Sequence, residues 1–215
     1  MTTPSPATPR SGAGPLVVAG DPVDAVVLAG GEGRRLGGVS KPDVEVAGRS
    51  LLDHVLVATT GAARVVVAGP DHLAREGVVT VMEDPPLGGP VAGVDAAVRR
   101  TGAPWVLLLA CDVPRAARAV PALVDAVGAA GDADGGVMVA DGRHQPLVGL
   151  YRRAPLVAAL DALHAEGGVH GVAVRRLVGR LRLVTVQDAD GVTADADTWE
   201  AVEQLASTMN REGVS

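Results

Sequence analysis

Four glycines, Gly30, Gly31, Gly33 and Gly37, fall within eight residues that also hold Arg34 and Arg35, and the stretch ends at Lys41. A backbone so rich in glycine can take positive φ and turn several N–H groups toward one concave surface, which binds anions. Its three cations run against a chain whose net charge is −6. A polyanion such as a nucleoside triphosphate is the ligand they suit; the plain alternative is a turn joining strand to helix. Lys41 is the only lysine, beside 18 arginines, which favours a compact point charge at that position over a planar fork. Neither common phosphate motif is present: Lys41 is followed by Pro42 rather than Ser or Thr, and Leu36 stands where a dinucleotide fingerprint needs its third glycine.

Carboxylates follow three other apolar or capped stretches. Asp112 comes directly after Trp105 to Cys111, where a hard oxygen facing the glycine loop would suit Mg²⁺ bridging phosphates; the plain alternative is a cap on the next turn. Glu83 and Asp84 follow a second apolar run and lead through Pro85, Pro86, Leu87, Gly88 and Gly89 toward a helix with Gly93 in its first turn. Glycines there allow a flat group or a phosphate to approach closely, although turn chemistry accounts for them as well. Asp197, near Asp195 and Thr198, is either a helix cap or a second carboxylate for the same metal. His144 and Gln145 sit in a polar turn, exposed or touching a second substrate, and Arg175 and Arg176 are solvated charges or a cationic acceptor site. Cys111 reads as a small buried residue rather than a nucleophile, with no His nearby to lower its pKa. No Ser-His-Asp, Cys-His or paired-Glu arrangement appears. Nucleotidyl transfer onto a phosphate needs none of these, because the acceptor oxygen is already anionic; it needs positioning, metal and cations on the leaving pyrophosphate.

These residues must be held by a particular scaffold. Ala25–Ala29 is a short continuous apolar run, suited to a strand buried on both faces of a parallel sheet. Strands are expected at 64–68, 78–82, 105–110 and 181–187, and helices after Ser50 and at about 91–100, 120–129, 155–165, 170–177 and 198–208. Strands at 136–140 and 147–151, separated by DGRHQP, imply an antiparallel hairpin. The alternation predicts a single three-layer α/β/α Rossmann-like domain over residues 23–210, with a mostly parallel sheet and an antiparallel hairpin near 136–151. Ligands in such sheets bind beyond the carboxyl ends of the strands. Residues 1–22, rich in Thr, Pro, Ser, Ala and Gly, are expected to form a disordered arm without a signal peptide. Lys41 is expected to be a solvent-facing cation in a flexible loop, and Asp112 to be crowded by Asp84 and Asp197 when no metal is present.

With no Phe, one Tyr and two Trp, the core must be Val, Leu and Ala, and little is left to stack on bases along a single strand. The acidic balance and the scarcity of aromatics argue against nucleic acid as a partner, and the apolar runs are too short to cross a membrane. One cysteine rules out an internal disulfide framework and fits a cytoplasmic location.

The series LAGGEGRRLGGVSKP, EDPPLGGPVAG, LLLACDVP, HQPLVGLYRR and DADTWEAVEQL resembles the MobA-type nucleotidyltransferases, in particular the molybdenum cofactor guanylyltransferases, over nearly everything after residue 22. The resemblance implies transfer of GMP from GTP to the phosphate of molybdopterin or molybdenum cofactor, with pyrophosphate released, and a molybdoenzyme or cofactor-delivery partner. It implies that Leu28, Ala29, Gly30, Gly31 and Lys41 hold the nucleotide, that Asp84 contacts it, and that Asp112 binds Mg²⁺. Arg34 and Gly89 are further candidates for nucleotide binding, Arg35 joins Lys41 and Asp112 as a catalytic candidate, and Asp197 is the second candidate metal ligand. Ala68 stands where the family often has Asn, and the stretch from Asp195 to Glu200 resembles cytidylyl-type relatives as much as guanylyl ones. Cytidylyl transfer to molybdopterin, transfer to a sugar phosphate, and nucleotide binding without catalysis are the competing readings.

Overall fold

The computed structural model describes residues 14–30 and 37–212. Its strands are β1 (Val17–Val18), β2 (Asp21–Leu28), β3 (Glu45–Val46), β4 (Arg49–Ser50), β5 (Val65–Ala68), β6 (Val79–Val81), β7 (Trp105–Ala110), β8 (Gly135–Ala140), β9 (Arg143–Arg152) and β10 (Leu183–Gln187). The helices are α1 (Leu51–Val57), α2 (Pro90–Val98), α3 (Val120–Ala129), α4 (Arg153–Ala165), α5 (Val174–Val178) and α6 (Trp199–Glu212).

The main sheet runs β10-β8-β9-β7-β2-β5-β6, with β1 added to β2. All neighbours along this path are parallel except at β9, which is antiparallel to both β7 and β8. Alternate residues of one strand feed two apolar layers. Ala25 and Val27 of β2, with Leu107 and Leu109 of β7, pack with α1 and α3; Val26 and Leu28, with Val106 and Leu108, pack with α2, α4 and α5. The expected three-layer arrangement is thus present, and burial on both faces explains why these strands read as unbroken apolar runs rather than as alternating ones. Asp24 is buried in β2 and accepts from the backbone N–H groups of Gly102 and Ala103 at 2.7 and 2.9 Å, which fixes the approach to β7. The Arg152 guanidinium lies 4.4 Å over the Trp105 ring and pins β9 to β7.

Several boundaries differ from the expected ones for identifiable reasons. The arm expected over residues 1–22 ends earlier: Val18 is buried, and β1 pairs antiparallel with the start of β2. Residues 1–13 lie outside the described residues. The hairpin turn is only Asp141 and Gly142, both at positive φ (50° and 70°), the geometry of a two-residue turn that matches strand twist. His144, Gln145 and Pro146 therefore belong to β9, and Pro146, which has no N–H to donate, sits where the β8–β9 register shifts beyond Val137 and Met138. The helix expected over 170–177 is confined to Val174–Val178, because Gly171 takes φ 67°. A third, smaller apolar cluster joins α6 to the β3–β4 hairpin through Val46, Leu51, Ala196, Val202 and Leu205, so the last helix folds back over the segment following the glycine loop.

Candidate functional site

Chain connections leave β2 toward β5 on one side and pair it with β7 on the other, so the carboxyl ends of β2 and β7 flank the point where the strand order reverses. A crevice opens there by topology alone. It is a cavity of about 530 Å³. Leu28 and Gly30 enter it from β2, Ala110, Cys111 and Asp112 from β7, and Ala68 from β5. Gly89, Pro90 and Gly93 enter from the start of α2, where Gly89 takes φ 86° as the N-cap and so admits the chain to the helix at an angle open to glycine.

Lys41 begins a single 3₁₀ turn through Pro42 and Asp43. Its Nζ donates to Asp112 Oδ2 at 2.6 Å and also to Asp197 Oδ1. Burial alone would lower the Lys41 pKa, but the two carboxylates outweigh it and hold the ammonium above its ordinary range. Lys41 is therefore not a loosely held surface cation. Its side chain is 17% exposed and clamps two segments, which are also stitched by the Ala196 N–H donating to the Asp112 carbonyl at 2.9 Å. The same geometry corrects the expected crowding at Asp112: the lysine neutralises it, and Asp84 lies elsewhere.

Thr198 Oγ1 accepts from the Ala201 N–H and caps α6, so Asp197 is left to pair with Lys41. Two carboxylates that converge on one ammonium present hard oxygen donors to a common point. No group of three or more His, Cys, Asp or Glu suited to a metal occurs among the described residues. This donor set fits Mg²⁺, which is commonly held by one or two carboxylates and completed by phosphates and water. Cys111 is 5% exposed and its thiol pKa is pushed up to about 12, first by burial and then by Asp112, so it is no nucleophile at neutral pH.

Asp84 does not face the cavity. It is exposed beside a neighbouring recess of about 300 Å³, with Asp95, His164 and His170. Glu83, which borders the same recess, also lines the cavity, a residue whose orientation no sequence signal gives. Leu87 and Leu147 complete the apolar wall and were equally unreadable: Leu87 holds φ 64° in a loop, and the shifted register breaks the in-out alternation of β9 before Leu147. Ala29 packs into the core rather than the cavity. Gly31, Arg34 and Arg35 lie outside the described residues. His144 is exposed on β9, and Arg176 pairs with Glu166 at 2.8 Å, as solvated charges do.

The segment that delivers Asp197 depends on Asp188. Burial would raise its pKa, but donation from Thr193 Oγ1 at 2.6 Å and from the N–H groups of Thr193 and Val192 at 2.8 Å holds it below its ordinary 3.8. A depressed folded-state pKa contributes stability that is present above pH 3.8 and is lost as the pH falls through the folded value. Asp188→Ala is expected to cost about 2 kcal/mol at neutral pH, and less once both states are protonated. Melting curves of both proteins from neutral to acid pH test this; parallel curves would refute it.

A mostly parallel sheet with Gly30, a lysine and two carboxylates at its switch point has the make-up of a nucleotidyltransferase-type domain. The family model described as MobA-like NTP transferase domain matches residues 25–186, and the chain belongs to that family. A molybdenum cofactor guanylyltransferase of Acidiphilium cryptum is 38% identical over 152 residues, 67% of this chain and 72% of that protein. One from Bradyrhizobium is 32% identical over 174 residues, 76% and 81% of the two chains. Among solved structures, molybdopterin-guanine dinucleotide biosynthesis protein A from Archaeoglobus fulgidus superimposes with a TM-score of 0.66 at 20% identity, covering 87% of this chain and 99% of its own. A 2-C-methyl-D-erythritol 4-phosphate cytidylyltransferase from Thermus thermophilus does so with 0.67 at 19%, covering 88% and 99%. Those two likenesses concern the fold. No helix among the described residues is long and apolar enough to cross a membrane.

Proposed function

We propose that this chain transfers GMP from GTP to the phosphate of molybdopterin or molybdenum cofactor and releases pyrophosphate. The observation that carries the reading is that Lys41 and Asp112, with Asp197 held to the same lysine, meet at a cavity walled mostly by apolar residues and glycines. Triphosphate suits the charged groups and a base the apolar wall. Relatives at 38% and 32% identity that bear the guanylyltransferase name support the choice of nucleotide and acceptor.

Asp112 and Asp197 are the residues that would hold Mg²⁺, whose contribution when bound is to neutralise charge on the phosphates. With those carboxylates neutralised, Lys41 Nζ can donate to phosphate oxygens and stabilise the departing pyrophosphate. The acceptor phosphate brings its own anionic oxygen, so the residues of this chain position and neutralise rather than remove a proton.

Pyrophosphate release, measured with GTP, CTP and ATP in the presence and absence of molybdenum cofactor, tests the reading. Acceptor-dependent release that favours GTP is expected. Equal or faster release with CTP would move the protein to cytidylyl transfer, which the Asp195–Glu200 stretch also resembles, and binding of GTP without release would make it a carrier.

A further inference from the structure

Within the site just proposed, the apolar wall of the cavity carries a carboxylate that the phosphate chemistry does not use. Glu83 is half-buried there, and no hydrogen bond or ion pair engages it among the described residues. A glycine lies beside it. A methyl placed on Gly93 would lie 3.5 Å from Leu28 Cδ2, 3.7 Å from Ala68 Cβ and 4.0 Å from Glu83 Oε2, so the missing side chain leaves a bare floor with the carboxylate at its edge. Leu87, 67% exposed, lines the same cavity.

Non-glycine residues rarely hold positive φ, and such positions gather where a ligand is gripped. Leu87, at φ 64°, is one. An open glycine wall beside apolar side chains suits a planar ring, and a carboxylate at its edge offers two acceptor oxygens.

We propose that Glu83 selects the base, accepting from the ring N1–H and the 2-amino group of guanine through its two carboxylate oxygens. The inference rests on reading the cavity as the nucleotide site. Among the common bases only guanine presents two adjacent N–H donors on that edge. Adenine turns a ring acceptor toward a carboxylate there, cytosine places its N3 lone pair beside its amino group, and uracil offers one N–H between two carbonyls. A site built around such donors rejects a ligand that lacks them, because its own buried polar group is then left unpaired. Asp84, one residue later, faces the neighbouring recess and does not share this role.

A pterin ring carries the same donor pair, so nucleotide binding is measured without any acceptor. Titrations with GTP, ITP and CTP are made on the wild type, Glu83→Gln and Asp84→Asn, each checked by its melting curve. ITP keeps N1–H and lacks the 2-amino group. Wild type is expected to bind GTP about tenfold or more tightly than ITP, a charge-assisted bond's worth. Glu83→Gln is expected to weaken GTP by about tenfold to a hundredfold and to bring the GTP-to-ITP ratio near one.

A wild-type ratio near one overturns the proposal without any variant. So does a ratio that survives Glu83→Gln, or one that collapses in Asp84→Asn instead. Preference of the wild type for CTP would overturn the guanylyl reading itself and this inference with it, whereas an unchanged GTP preference in Glu83→Gln overturns only the role of Glu83.

Discussion

Asp112→Asn is expected to lower kcat by two or more orders of magnitude while GTP still binds measurably through the glycine loop. The substitution keeps the shape and removes one of the two carboxylate charges that meet at Lys41. If that charge serves the reaction, its value grows as negative charge spreads over attacking and leaving oxygens, so kcat falls rather than KM alone. About 3 kcal/mol of barrier corresponds to the expected loss, in the range seen for other fixed electrostatic stabilisers. Folding should respond weakly and in the opposite direction to simple relief of repulsion. Asp112 is paired with Lys41 at 2.6 Å, so the amide leaves the lysine one carboxylate short and lowers stability by about 1 kcal/mol. Steady-state kinetics over a Mg²⁺ titration, beside a melting curve, separates the two effects. Full activity, or a loss that only tracks unfolded protein, would make Asp112 a structural clamp and remove it from the chemistry.

Lys41→Ala is the complementary experiment, with a different signature. A charge-assisted phosphate contact is worth about 1.5 to 3 kcal/mol, so GTP affinity should fall about tenfold or more. The ammonium also joins Asp112 to Asp197, residues 71 and 156 positions away in sequence. Without it the two carboxylates face each other across a partly buried gap, and the last segment of the chain loses an anchor. A drop in stability of about 1 kcal/mol is therefore expected together with weaker binding. Lys41→Arg tests geometry as distinct from charge: a planar fork in place of a point charge should restore part of the stability and little of the turnover. Nucleotide titrations and thermal melts of the two variants decide the matter. Wild-type affinity in Lys41→Ala would sink the assignment of this loop to the nucleotide.

Local pattern sufficed wherever one segment's own residues dictate its state. Trp105–Ala110 and Val120–Ala129 occupy the strand and helix expected of them, since an unbroken apolar run has no stable place except between two covered faces. The same holds for Ser50, which caps α1 by accepting from the Asp53 N–H at 3.1 Å. The strand and helix alternation was enough to place the ligand beyond the carboxyl ends, and the lone lysine after the glycines was legible as a phosphate-site candidate.

What the tertiary structure alone decided is which carboxylates share a point and which do not. Asp197 could be read as a cap or a ligand until Thr198 was seen to cap α6, because both residues satisfy the same local rule. Glu83 and Asp84 are chemically near-equivalent neighbours after one strand. Only the place where β6 stops, and the path of the turn into α2, brings the first to the wall between cavity and recess and leaves the second in the recess alone. Two-residue strands such as β1, β3 and β4 carry no periodicity to detect, and exist through pairing and packing with residues distant in sequence. Side-chain direction at a strand end is set by those long-range contacts, which a sequence pattern contains only in aggregate.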